Sequence, residues 1–279
     1  KFSIITVDTN NHIVVNSLLN SWYKFTNTRA LFNFSPYMIF DMNKFHFFAS
    51  LGLVPKHNGY NKFQILPTAT ISFEIIPQIL NFYGGMKSQA ILPTLNDIKN
   101  ENPYIAQSVL LEDETNENLF AKIFLNVLPT CQVSLEAGFS SLRNHHFFYQ
   151  TQAGNELNVC GIVYDNAKRY YATFEGSYSY ENAFKITANA TYQKVKTDSL
   201  NNPYYTPSFY CSLKAEYNYD EKLSFSLTPT FKSRMKYSYF GKEGNLDPIF
   251  NINLGATYKY TEQLHFFIDL ENLAFQRQY

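Results

Sequence analysis

Between Ile249 and Leu273 apolar and polar side chains alternate along the chain, and that spacing allows little besides β-structure. Phe250, Ile252, Leu254, Ala256, Tyr258 and Tyr260 occupy one parity; Asn251, Asn253, Gly255, Thr257 and Lys259 occupy the other. After a break at Thr261–Gln263 the pattern resumes, with Leu264, Phe266, Ile268 and Leu270 opposed to His265, Phe267, Asp269 and Glu271. Successive side chains of a strand leave opposite faces, so a period of two predicts a hairpin. Each half has about the 9–11 residues a tilted strand needs to cross a bilayer. Tyr258 and Tyr260 sit beside the tight turn, where an interfacial aromatic girdle belongs. The polar parity suits a wet lumen better than a packed core.

The composition agrees. Charged residues are 16% of the 279, below the roughly 25% of a soluble domain, while aromatics reach 18%. Mean hydropathy is −0.27, and no run approaches the ~18 apolar residues of a membrane helix. The apolar residues are therefore alternated rather than clustered. With 23 basic and 23 acidic residues the net charge is zero, which gives no reason to expect nucleic acid as a partner. The chain opens in strand-like sequence at Lys1–Val7, so processing or truncation is expected to have removed what came before it. Cys131, Cys160 and Cys211 form no spacing framework, and Cys131 and Cys211 read as small hydrophobes in apolar rows.

In chain order, strands are predicted at Phe2–Val7 and Ile13–Phe25 around a turn at 8–11, then at Arg29–Phe40, Phe45–Leu53, Lys62–Ile76 and Ile79–Lys87. A polar excursion at Ser88–Glu117 contains a short helix near Leu95–Lys99. Strands resume at Leu119–Leu128 and Cys131–Ser140. A second excursion, Arg143–Lys168, has β-like pieces that suggest a projecting hairpin. Arg169–Tyr180, Phe184–Val195, Ser208–Tyr219 and Leu223–Met235 follow, with loops at Lys196–Thr206 and Lys236–Pro248.

Short connections alternate with mostly longer ones, the layout of outer-membrane barrels whose short turns face the periplasm. The expected fold is all-β: a transmembrane antiparallel up-and-down β-barrel of about 14 strands. Residues 1–279 read as one barrel domain, a portion of a longer barrel. Since an open edge cannot face lipid and 274–279 starts no apolar strand, at least one closing strand is expected beyond it. Pro36, Pro67 and Pro229 fall inside predicted strands, where each removes a ladder hydrogen bond.

The segment Asp269-Leu270-Glu271-Asn272-Leu273 to Tyr279 resembles the penultimate strand of TonB-dependent-receptor-type barrels, with its Asn-Leu pair, polar run and aromatic. Glu101-Asn102-Pro103-Tyr104 resembles that family's Asn-Pro loop, and the flow through SLEAGFSSLRNHHFFYQ to GIVYDNAKRYYATFEGSYSY is similar to receptor-like barrels of the Bacteroidota. The resemblance covers about residues 80–279 and implies import of a ligand past an internal plug, driven by TonB. Some relatives are instead structural barrels of larger assemblies. No plug or TonB box is recognisable in this sequence.

Nucleotide-loop, zinc-protease, paired CxxC and GxSxG patterns are absent from the sequence, so no cofactor and no enzymatic activity are expected. Asn144-His145-His146 beside Ser140-Ser141 invites comparison with a hydrolase or a metal site. Neighbouring residues on a regular strand diverge, however, so the histidines are not expected to share an ion. Glu112-Asp113-Glu114 with Glu117 has the hard oxygen donors calcium prefers, but an acidic run is ordinarily a solvated loop. The residues expected to face the lumen are Glu74, Glu136, Glu175, Lys185, Lys214, Glu216, Lys232, Lys259, Asp269 and Glu271. Their mixed signs imply neutralising pairs across the lumen, or simply hydration of its wall, rather than an ion-selective filter.

The function expected is solute binding or passage at the bacterial outer membrane, the alternative being a docking subunit of an outer-membrane complex. The partners expected are the lipid bilayer, lipopolysaccharide and, through the long loops, other outer-membrane or periplasmic proteins.

Overall fold

The computed structural model describes residues 31–55, 63–106, 109–153, 156–181, 183–220, 222–239 and 242–274. Within them lie β1 (Tyr37–Met42), β2 (Phe45–Pro55), β3 (Phe63–Ile76), β4 (Leu80–Ile91), α1 (Leu95–Glu101), β5 (Glu114–Leu128), β6 (Cys131–Ala153) and β7 (Glu156–Tyr180). After them come β8 (Phe184–Thr197), β9 (Phe209–Tyr219), β10 (Leu223–Lys232), β11 (Met235–Tyr239), β12 (Lys242–Leu246), β13 (Ile249–Lys259) and β14 (His265–Leu270). Twelve strands form one antiparallel up-and-down path, β1 to β10 in chain order, then β13 and β14; β11 and β12 pair with each other beside it. Among the described residues the path is open between β1 and β14. The two earliest expected strands, at Phe2–Val7 and Ile13–Phe25, lie outside the described residues.

The register turns alternation along each strand into rows across the sheet. One apolar row runs Leu128–Cys131–Tyr178–Ile186–Ala215–Leu227–Leu254–Leu270 across eight strands. A polar row of the opposite parity runs Ser72–Tyr83–Lys122–Glu136–Thr173–Thr191–Tyr210–Lys232. Exposure divides the same way, but inverted relative to a water-soluble protein. Ile71 and Leu254 are 38% and 39% exposed, whereas Thr70 is 6% and Ser140 and Thr191 are each 1% exposed. Polar side chains lie on the sheltered face and large apolar ones on the open face, as in a barrel whose outside meets lipid. Near the short-turn ends, the row Tyr219–Leu223–Tyr258–Phe266 supplies the expected aromatic band.

Local exceptions to strand chemistry fall where the ladders allow them. Pro67 faces Leu51 of β2, and the β3–β4 ladder extends only to Ala69–Met86, so no bond to β4 is needed there. Pro229 pairs with Ile252 of β13, while the β9–β10 pairing skips it. Pro36 precedes β1. Asn43, Gln78, Glu181 and Asp220 take left-handed φ values of 48–63° at short turns, where such a residue reverses the chain tightly. Gly138 lies opposite Tyr171, and a Cβ there would come within 2.7 Å of the ring; the missing side chain lets the tyrosine lie across the strand.

Three segments differ from expectation. The first excursion is shorter, because β4 and β5 extend to an Ile91–Glu114 pair; the helix falls where expected. Thr94 caps it by accepting from the Asp97 amide, while the Asp97 carboxylate accepts from the Thr94 amide. The second excursion is continuous strand: β6 and β7 are 23 and 25 residues long and pair up to Ala153–Glu156, so the projecting hairpin is an outgrowth of the wall itself. Lys236–Pro248, expected as loop, contains the β11–β12 hairpin. The described residues hold 14 strands, the number expected for the whole chain, but with β11 and β12 among them and without the two earliest expected strands.

Candidate functional site

The sheltered wall carries a connected polar network across β5, β6 and β7. Ser140 Oγ donates to Asn118 Oδ1 (3.0 Å), Asn118 Nδ2 to the Tyr171 hydroxyl (2.9 Å), and that hydroxyl to Glu136 Oε1 (2.7 Å). Lys122 Nζ lies 2.6 Å from Glu175 Oε2 and 3.8 Å from Glu136 Oε2, and Ser134 Oγ also donates to Glu175 (3.0 Å). Lys122 thus bridges two of the expected lumen residues. The pairs run along one wall, Lys122 of β5 reaching Glu136 on the adjacent β6 and Glu175 on β7 beyond it, where pairs across the lumen or plain hydration of the wall were expected. Lys214 and Glu216 pair at 2.6 Å on β9 itself.

Register places most other expected residues on the same system. Lys185, Glu216 and Asp269 share the row Ser179–Lys185–Glu216–Ser226–Gly255–Asp269. Glu74 shares with Glu175 the row Glu74–Asn81–Phe124–Ser134–Glu175. Lys232 ends the Lys122–Glu136 row. Lys259 closes β13 beside the Thr261–Gln263 turn, and Glu271 follows β14; both are exposed. Such a wall can hydrogen-bond a polar solute while carrying both charge signs.

At the rim formed by the longer connections the structure assembles a second group, whose histidines and acidic run the sequence singled out separately but did not bring together. Between Leu142 and His145 the β6–β7 register shifts in a bulge, and Asn144 takes a left-handed φ of 53°. The bulge is held from both sides. The Asn144 amide donates to Asn166 Oδ1 (3.0 Å), and its Nδ2 donates to Glu112 Oε2 (2.8 Å) and the Asp113 carbonyl (3.0 Å). The expected divergence of the two histidines is corrected here: just beyond the bulge both rings reach one carboxylate, that of Glu114. His145 Nδ1 lies 2.7 Å from Glu114 Oε2, and His146 Nδ1 lies 2.5 Å from Glu114 Oε1. Glu101 of α1 meets the other nitrogen of His146 at 2.9 Å. The sequence signal was Asn144, since asparagine tolerates the left-handed conformation better than most residues.

Glu114 is 5% and His146 8% exposed at the side chain, against 31% for His145. Burial alone would push the Glu114 carboxyl up, but the hydrogen bonds and charge of the two histidines hold it down at about 2. Burial likewise favours neutral His146, yet the carboxylates of Glu101 and Glu114 raise it to about 9. The acidic run expected as a solvated loop has definite partners: Glu112 on Asn144, Glu114 on the histidines, and Glu117 on Arg143 at 2.9 Å. Ser140 directs its hydroxyl to Asn118. A pocket of about 330 Å³, lined by Pro93, Asp97, Arg169 and Gln193, opens beside the Glu101–Glu114–His145–His146 group. The cysteines are free thiols, and Cys160 lies buried with Ile98, Ile105 and Phe148 where the α1 segment packs on the hairpin.

No protein-family model and no curated protein sequence matches the chain. Solved structures do. The ferric enterobactin receptor PfeA of Pseudomonas aeruginosa superposes with a TM-score of 0.60 at 14% identity, over 96% of this chain and 43% of that one. The pyoverdine outer membrane receptor FpvA of the same organism gives 0.60 at 14%, covering 91% and 40%. The copper transporter OprC gives 0.57 at 11%, covering 92% and 44%. The chain thus spans less than half the length of the structures it matches, and these neighbours are transport receptors rather than enzymes. The likeness is one of fold: the chain has the architecture of part of an outer-membrane receptor β-barrel.

Proposed function

We propose that this chain is part of a TonB-dependent-receptor-like barrel of the Bacteroidota type, set in the outer membrane among lipid and lipopolysaccharide, where its inner wall binds or passes a solute. One observation carries the reading. An apolar row crosses eight strands on the exposed face while rows of Ser, Thr, Asn, Lys and Glu cross the sheltered one. A wall sorted in this way has lipid outside and water inside. The pairing of Lys122 with Glu175 and of Lys214 with Glu216 supports a polar solute over selection for ions of one charge. Docking through the first long connection has less support, because that connection packs against its own β6–β7 hairpin through Ile98 and Ile105.

The test uses single cysteines in the full chain reconstituted in liposomes, each carrying a fluorophore. Probes at Ile71, Ile186, Phe225 and Leu254 are expected to be quenched by a lipid-soluble quencher. Probes at Thr70, Lys185, Ser226 and Asn253 are expected to respond only to a water-soluble one. Equal quenching of both sets would dismiss the assignment.

A further inference from the structure

The structure assigns Glu114, His145 and His146 as a binding site for one borderline divalent transition cation of the zinc, nickel and copper class. Glu101 acts as the outer carboxylate that orients His146. The site does not depend on solute passage through the barrel.

One candidate donor atom from each of the three residues lies within 4.8 Å of the others. Donors about 2.0 Å from a tetrahedral ion sit roughly 3.3 Å from one another, so a sub-ångström to one-ångström adjustment of the rings suffices. Two imidazoles and a carboxylate suit cations of intermediate softness; calcium and magnesium prefer oxygen alone. His146 Nδ1 faces the shared carboxylate while its Nε2 faces Glu101 at 2.9 Å. That division of the two ring nitrogens, one toward the ion and one donating to a carboxylate, is how metal-bound histidines are held. The donors are also pre-positioned: the Asn144 bulge is fixed by Asn166, Glu112 and the Asp113 carbonyl. Glu114 and His146 are buried, His145 is partly open, and the pocket of about 330 Å³ gives an ion and its remaining water ligands a way in. Since Glu101 belongs to α1 and the three ligands to β5 and β6, an ion here would also fasten the helical segment to the rim.

The test is titration of the purified, chelator-stripped full chain with Co2+ alone, followed by Zn2+ competition. One Co2+ per chain is expected, with visible absorption of a low-coordinate site with nitrogen ligands, displaced stoichiometrically by Zn2+ and unaffected by excess Mg2+ or Ca2+. Glu101→Gln should keep the stoichiometry and weaken binding about 10–100-fold. His145→Ala and His146→Ala should each abolish the spectrum, with heat-modifiable gel mobility showing that the barrel remains folded. No stoichiometric Co2+ bound by the unaltered chain would overturn the site and leave an ion-pair cluster, and this outcome needs no variant. Binding that survives the double histidine variant, or is displaced equally by Mg2+, would overturn it as well.

Discussion

Asp165 shows how one side chain organises a rim connection. Its Oδ2 accepts from the amides of Ser199 and Leu200, both at 2.8 Å, and its Oδ1 from the amide of Asn166 at 2.9 Å. Burial pushes its carboxyl up, but the amides of Leu200, Ser199 and Asn166 outweigh that and hold it below the usual value. A depressed folded-state pKa contributes stability that is fully present above the unfolded value near 3.8 and is lost as pH falls through the folded one. Hydrogen exchange at Ser199 and Leu200 should therefore be slow near neutral pH and speed up in acid beyond its intrinsic pH dependence. Asp165→Asn should remove that added acid dependence and cost about 1–3 kcal/mol of local stability. An unchanged exchange profile in the variant would show that the carboxylate does not hold the loop. The sequence did not mark this residue, and it singled out the His145–His146 pair without expecting the two rings to converge. A period-two reading sends neighbouring side chains to opposite faces, so it could not show that both rings reach the single Glu114 carboxylate of the adjacent strand. Asn144 was visible, but a left-handed asparagine signals a turn as readily as a bulge.

At the scale of elements, much more was legible. The final hairpin forms as its alternation requires, with Leu254 opposite Leu270 and Gly255 opposite Asp269. Lys185, Glu216 and Asp269, all placed on the polar parity by the sequence, come together on one row. What could not be seen was lateral neighbourhood. Lys122 and Glu175 are 53 positions apart and meet only because β6 holds β5 and β7 in one register. The rows permit a contrast between adjacent residues. Leu254→Arg places a charge on the open apolar face and should cost roughly 2–4 kcal/mol of folding stability in lipid; Asn253→Arg, on the sheltered face, should cost much less. Denaturant titration of both variants in bilayers measures the difference, and equal costs would contradict the sidedness of β13.

For the molecule as a whole, the short turns at Asn43–Lys44, Pro129–Thr130, Glu181–Ala183 and Asp220–Lys222 fall at one end of the path. The α1 segment, the β6–β7 tip and the β11–β12 hairpin fall at the other. In intact cells, external protease should cut near Ala153–Glu156 and leave Asp220–Lys222 whole until the membrane is ruptured. A cut at the latter in intact cells would reverse the topology. On the main path, every ladder except β10–β13 joins strands that follow one another in the chain. Each new strand therefore closes a loop of only local length, so the wall can grow hairpin by hairpin without long-range search. The same neighbour-only bonding makes the chain divisible. Cut between β8 and β9, it yields two pieces whose facing edges retain the matched series Phe184–Tyr217 to Tyr192–Phe209, the template by which separately made halves would find each other and zip shut.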